Sequence, residues 1–209
     1  MILVTGFGPY KEEMNASGAL VASFISELPA ELASLAPELA FAVIACDDTS
    51  RESEHLSLER QLNALLAEYR PEICLFTGQA PPHDRITIEK VAINSFMREI
   101  IDPSRPVGYF ADMPGLATMR DALEQAGIPA AYSFYAGQHH CNHILYSSLY
   151  FAEREKSGRT SGFIHLPLLP AQTVERYPDA PSMPLERSRK ALAVIINHVA
   201  RSAGGKRLP

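Results

Sequence analysis

Short apolar runs alternate with longer amphipathic ones along most of this chain, and that alternation admits few folds. A brief apolar run bounded by turn residues reads as a strand buried on both faces, and an amphipathic run as a helix that covers it. Ile2 to Val4 opens the series as a strand, followed by the loop TGFGPY and a helix from Ala16 to Glu27. Phe41 to Ala45 is a second strand. From Arg51 to Tyr69 the residues Leu58, Leu62, Leu65 and Leu66 recur at helical spacing, and Pro71 stops that helix near Arg70 because it disfavours helical geometry in the residue before it. Further strands are expected at Glu72 to Phe76, Ile86 to Ile93, Pro129 to Phe134 and Gly162 to Leu166. Helices are expected from Pro114 to Ala126, where Gly127 supplies a left-handed stop, from Asn142 to about Lys156, and from Leu185 to about Ala200 with Leu192, Ile195, Ile196 and Val199 inward. The pattern is that of an α/β fold: a three-layer α/β/α sandwich with a mostly parallel central sheet.

Length and charge narrow the rest. With 209 residues, 46% of them apolar and 21% charged, the chain is expected to form one domain over residues 1–209, with residues 201–209 as a frayed tail. A net charge of −5 with scattered basic residues gives no reason to expect nucleic acid or an anionic membrane as partner. Cys46, Cys74 and Cys141 are an odd set without a CxxC pair, so neither a disulfide scaffold nor a zinc finger is expected. The opening MILVTGFGPY has no basic leader or small-residue cleavage site, and no apolar run reaches the roughly 20 residues of a span. The expectation is a cytoplasmic protein with reduced thiols.

The candidate chemistry lies in a few polar residues at unexpected places. TGFGPYKEE lacks the third glycine of a dinucleotide fingerprint, and no phosphate-binding loop is present; the loop is left to line a pocket with Phe7 and Tyr10. In YAGQHHCNHILY, Cys141 falls where a flexible Ala136–Gly137 pair gives way to a helix. The free N–H groups and positive end of a helix start favour a thiolate and can receive an oxyanion. The same position also suits a small, buried apolar residue. His165 interrupts the strand GFIHLP near its carboxyl end, where open parallel sheets bind ligands. Glu89 stands in the apolar strand TIEKVAIN and must find a cation or donors, since burying a lone carboxylate costs several kcal/mol. A cysteine, a histidine and an acid fit the logic of nucleophile, base and orienter, with Asp84 and Asp102 as rival acids. Zinc is the competing reading: His139, His140, Cys141 and His143 could supply ligands, but no HExxH or second ligand pair accompanies them, and surface or supporting roles for these histidines stay open.

Five segments, TGFGPY with Asn15, TGQA, TIEKVAIN, AGQHHCN and GFIHLP, resemble in that order the landmark segments of the pyroglutamyl peptidase I family. The resemblance implies a cysteine peptidase of α/β/α architecture that removes N-terminal pyroglutamate from peptides, uses no metal or other cofactor, and assembles as a homotetramer. It implies Cys141 as nucleophile, His165 as general base and Glu89 as its orienting acid. It also implies Phe7 and Tyr10 as the aromatic holders of the lactam ring, Asn15 as a polar residue of that pocket and Gln79 as a residue near the site. The chain departs from the family at Tyr10 for Phe, at Ala16 for Pro, in the loop after the Glu89 strand and in CDDTSRES. These departures bear on the pocket entrance, and they keep a second expectation in view: a binding or regulatory relative, or one acting on another small acyl group.

Overall fold

The computed structural model describes residues 1–10, 14–46, 51–174 and 177–204. In chain order the elements are β1 (Ile2–Phe7), α1 (Ala16–Ser26), β2 (Leu39–Ile44), α2 (Arg51–Tyr69), β3 (Ile73–Gln79), β4 (Ile86–Glu89), β5 (Val91–Ile93), β6 (Ser95–Phe96), β7 (Glu99–Ile100), β8 (Gly108–Phe110), α3 (Met119–Gln125), β9 (Ala130–Ser133), α4 (His140–Glu155), β10 (Thr160–Leu166) and α5 (Leu185–Gly204). Short 3-10 helices cover Ala30–Glu38 and Pro170–Thr173.

Six strands form the central sheet in the order β2-β1-β3-β10-β4-β9. The first four are mutually parallel, β4 runs antiparallel to β10, and β9 runs parallel to β4. Successive side chains of a strand point to opposite faces, and the core divides accordingly. Ile2, Val4, Ile73, Leu75, Ile164 and Leu166 pack on one face against α1, α3 and α5. Leu3, Cys74, Phe76 and Phe163 pack on the other, against Leu58, Leu62 and Leu66 of α2 and Ile144, Leu145 and Leu149 of α4. This is the three-layer arrangement that the sequence predicts. His165 shares its face with Phe163 and so looks toward α4.

Several boundaries differ from expectation for identifiable reasons. The strand expected from Ile86 to Ile93 is two strands: β4 joins the main sheet, while β5 pairs with β8 (Val91 with Phe110) in a separate ribbon. The break falls at Lys90, whose N–H donates to the Ser133 carbonyl and whose own carbonyl accepts from Ala111. The helix expected from Pro114 begins only at Met119, because Gly115 takes φ of 75° and residues 113–118 close as turns instead. Gly127 does stop it, at φ 74°. Residues 201–204, expected to fray, are the last turn of α5; residues 205–209 of the expected tail, and residues 47–50 of the CDDTSRES departure, lie outside the described residues. Among the described residues no single helix is long and apolar enough to cross a membrane.

Candidate active site

The first turn of α4 carries Cys141 and is held in place from both sides. Gly137, at φ 84°, turns the chain, and His139 caps the helix in an extended conformation. The backbone N–H groups of the first turn then have no partner within the helix. Asn142, almost wholly buried, fixes the turn's position: its Oδ1 accepts from Ile93 N at 2.8 Å and its Nδ2 donates to the carbonyls of Ile93 at 2.9 Å and Ser95 at 2.7 Å. Cys141, half-buried between these two anchors, lies over β3. A methyl placed on Gly78 would come within 2.8 Å of its sulfur and 2.7 Å of the Phe163 ring. No residue but glycine fits under the sulfur.

His165 and Glu89 meet because their strands run in opposite directions. Phe163 is opposite Glu89 and His165 opposite Thr87, so Glu89 and His165 are diagonal neighbours on one face, within reach of long side chains. His165 Nδ1 donates to Glu89 Oε1 at 2.7 Å, which leaves Nε2 to meet Cys141. Glu89 is fully buried, and its Oε2 has no hydrogen-bond partner among the described residues. A carboxylate in that state needs a cation. The His165 ring supplies it: burial works against the imidazolium, but the charge and hydrogen bond of Cys141 and then of Glu89 outweigh burial and raise the pKa to about 9. His83 packs edge-on against the same ring, with centroids 5.5 Å apart, and burial followed by the nearness of His165 lowers its own pKa. Cys74 offers the contrast. It is sealed between sheet and helix, where burial pushes its thiol up to about 12.

The rival acids are elsewhere. Asp84 is bound by Arg85 through contacts of 2.6 and 2.7 Å. Asp102 accepts from the backbone and hydroxyl of Ser104. Neither hydrogen-bonds His165.

The four expected pocket residues separate into two pairs. Phe7 and Tyr10 converge on the histidines of the helix start: the Phe7 ring lies 5.8 Å from that of His140, and Tyr10 lies 5.9 Å from His139 and 5.8 Å from His140. Phe96 closes the group at 5.4 Å from His139. Asn15 and Gln79 instead organise the start of α1. Asn15 Oδ1 accepts from Ser17 N and Oγ at 3.0 and 2.7 Å, an N-cap. Gln79 Oε1 accepts from Ala16 N at 2.8 Å and from Gln172 Nε2 at 2.9 Å. Strand alternation sends Gln79 to the face away from Cys141.

The histidine cluster has specific partners as well. His139 and His140 share a hydrogen bond between their Nδ1 atoms of 2.8 Å, so one ring donates to the other. Burial, then the nearby His139 and His143, depress His140 to about 3, which keeps it neutral at ordinary pH. His143, fully buried, lies 3.5 Å from Glu59 Oε1 and packs at a tilt against Phe96, with ring centroids 4.9 Å apart. Among the described residues no three His, Cys, Asp or Glu side chains are placed to hold a metal ion. Sequence reasoning did not single out Asn142, Phe96, Gly78 or Gln172. Only Asn142, a polar residue on the buried face of α4, carries a signal that pattern alone exposes.

Known proteins resemble this chain in architecture and in sequence. The sequence model of the family described as pyroglutamyl peptidase matches residues 1–202. A pyrrolidone-carboxylate peptidase of Brevibacillus brevis is 35% identical over 207 residues, covering 93% of this chain and 90% of the relative. The solved structure of the pyrrolidone carboxyl peptidase from Thermococcus litoralis superposes with a TM-score of 0.82 at 25% identity, covering 100% of this chain and 98% of the other. That of the pyroglutamyl peptidase I from Bacillus amyloliquefaciens gives 0.78 at 27% identity, over 95% of this chain and 94% of the other.

Proposed function

The chain belongs to the pyroglutamyl peptidase family, and from that premise we propose that it hydrolyses the amide after an N-terminal pyroglutamyl residue, with Cys141 as nucleophile, His165 as acid and base, and Glu89 as the group that orients and charges His165. One observation carries the reading: a buried histidine bridges a carboxylate that has no other partner among the described residues to a cysteine at a helix start.

The steps follow from that arrangement. The Cys141 thiolate attacks the pyroglutamyl carbonyl carbon, and the electron pair moves to the carbonyl oxygen. N–H groups of the first turn of α4 receive this oxyanion. Collapse expels the amine, which takes its proton from Nε2 of His165. The thioester left on Cys141 is cleaved by a water that His165, now neutral, deprotonates; pyroglutamate leaves and the thiolate returns. Glu89 keeps the ring in one tautomer and compensates the imidazolium at each stage. Phe7, Tyr10 and neutral His140 supply an uncharged aromatic slot that suits an uncharged lactam. Asn15 and Gln79 act one step back, by holding the start of α1. The same reading carries a cytoplasmic location, where the thiol stays reduced, and self-assembly to a homotetramer. Exposed Ile100, Val107 and Phe110 offer apolar surface for such contacts, and sedimentation velocity reads the state.

The test is hydrolysis of a pyroglutamyl amide with a chromogenic leaving group beside the matching prolyl amide. Release from the first alone is expected, because a site that pairs the lactam leaves polar groups unmatched with proline. One equivalent of alkylating reagent should abolish the activity and appear at Cys141 by mass spectrometry. Equal cleavage of both amides, or full inactivation with the label on Cys74, would overturn the reading.

A further inference from the structure

The hairpin beside the nucleophile's loop holds two residues in a conformation their side chains resist. β6 and β7 pair Ser95 with Ile100 and Phe96 with Glu99, so Met97 and Arg98 form a two-residue loop, with φ of 49° and 68°. Such loops favour Asn-Gly, because both central positions are left-handed, and a Met-Arg pair there is strained. Strain of this kind concentrates where a site requires it. The tip is fixed, since Met97 N–H donates to the Gln138 carbonyl at 2.7 Å, three residues ahead of Cys141. Met97, Arg98, Tyr135, Gln138 and His139 line a shallow groove of about 410 Å³. Its inner end is His139, which also touches Tyr10 and His140. The groove therefore continues outward from the aromatic slot. Arg98 is exposed in it, with no carboxylate within ion-pair distance among the described residues.

On the proposed activity, on which this step rests, the lactam fills the slot and the amine side of the scissile bond projects past His139. We propose that Arg98 reads a carboxylate on the residue that follows pyroglutamate, so that the groove favours short acidic substrates. The carboxylate is either the free C-terminus of a pyroglutamyl dipeptide or the side chain of Asp or Glu at that position. Guanidinium presents a planar fork of donors that matches a carboxylate. At an exposed position the preference is modest and falls with salt.

The experiment compares kcat/KM for four substrates: pyroglutamyl-alanine with a free C-terminus, pyroglutamyl-alanine amide, pyroglutamyl-aspartate amide and pyroglutamyl-lysine amide. The carboxylate substrates should exceed the alanine amide by about three- to tenfold at low salt, chiefly through KM, and approach it at about 0.5 M NaCl. Whichever of the first and third substrates carries the advantage identifies the carboxylate. Arg98→Ala should bring the ratio of carboxylate to neutral substrate to about one, Arg98→Glu should turn the preference toward the lysine amide, and Arg98→Lys should restore part of it. Replacing Met97 and Arg98 together by Asn and Gly should raise the melting temperature while the preference disappears. A ratio that Arg98→Ala and Arg98→Glu leave unchanged, or one indifferent to salt, overturns the proposal. Failure of the wild type to cleave any of the four would be a failure of the proposed activity instead. In that event, calorimetric binding of the same peptides to the wild type and to Arg98→Ala decides the role of Arg98 without turnover, and equal preference in both proteins overturns it.

Discussion

Two histidine–glutamate pairs lie at α4, one fully buried and one with its glutamate half-buried, and they are chemically alike but differently supplied. At one, Glu89 has a single hydrogen-bond partner among the described residues, the His165 ring at 2.7 Å. At the other, Glu59 of α2 already binds Arg105 at 2.7 Å and Ser147 Oγ at 3.0 Å, and His143 approaches only to 3.5 Å. A guanidinium is charged at any working pH, so Glu59 does not depend on its histidine. Burial raises the Glu59 pKa, but hydrogen bonds from His143 and Arg105 and the Arg105 charge bring it down to about 2. Among the described residues Glu89 pairs with no Lys or Arg, and the cation that meets its charge is His165 when that ring holds a proton. A pair with a fixed cation is a brace; a pair without one is a proton store. The difference is decided by one arginine.

That distinction is broken most forcefully at the histidines. His165→Ala should lower kcat/KM by about three orders of magnitude or more, as loss of a base from a nucleophile–base unit does. His143→Ala should stay within about tenfold of wild type, its effect appearing as a lower melting temperature. Equal losses in folded protein would erase the contrast. At the carboxylates the expected effect is smaller: Glu89→Gln should cost about 100-fold, and the double variant with His165→Ala should be scarcely worse than His165→Ala alone, because an orienter has nothing to orient once the base is gone. A multiplicative double variant would assign Glu89 an independent role.

Glu59→Gln should reverse the order of effects. Stability should fall by about 2 kcal/mol, read as roughly 4–8 °C in Tm, because half-buried Arg105 loses its counter-charge. kcat/KM should change by no more than a fewfold. A hundredfold loss of rate with an unchanged melt would mean that the brace is part of the chemistry.

The smallest effects are in the pH profiles, and they have opposite signs. His165 is raised from 6.5 to about 9, so its contribution to stability is complete below pH 6.5 and is lost as pH rises through 9. kcat/KM should decline over the same alkaline limb, and Glu89→Gln should move that limb to lower pH. Glu59 is lowered from 4.5 to about 2, so its contribution is present above pH 4.5 and is lost as pH falls toward 2. Melting curves should show an acid limb in the wild type that flattens in Glu59→Gln. An alkaline limb unaffected by Glu89→Gln would detach that carboxylate from His165.

The first pair was legible in the sequence and the second was not, and the reason is context. Glu89 and His165 are polar residues in strands that are otherwise apolar, where a single ionisable group stands out. Glu59 lies on a helix rich in charge, among Glu52, Glu54 and Arg60, where one more acid looks like a solvated surface. Its partners lie 46 and 88 residues away, at Arg105 and Ser147, and no local spacing announces them. The same limit explains Ile86 to Ile93: apolar residues continue across Lys90, and only the choice of partner strands divides them. Asn15 is named only by the family resemblance, as a polar residue of the pocket, and the structure gives its oxygen to a helix cap. Helix α2, by contrast, spans the expected Arg51–Tyr69, since Pro71 and the leucine spacing are both local signals.

The place of β10 in the sheet orders events during synthesis. It lies between β3 and β4, yet residues 160–166 are made long after both. Until they leave the ribosome, β3 and β4 have no common neighbour, and Glu89 has no imidazole to bury against. Its carboxylate favours solvent over a dry interior, so docking β4 before β10 would bury that charge without its imidazole. Insertion of β10 then supplies the missing strand and the missing cation together, at the expense of a long-range closure that slows folding. On the proposed roles, a nascent chain thus carries Cys141 without His165 beside it until the last strand of the sheet is made.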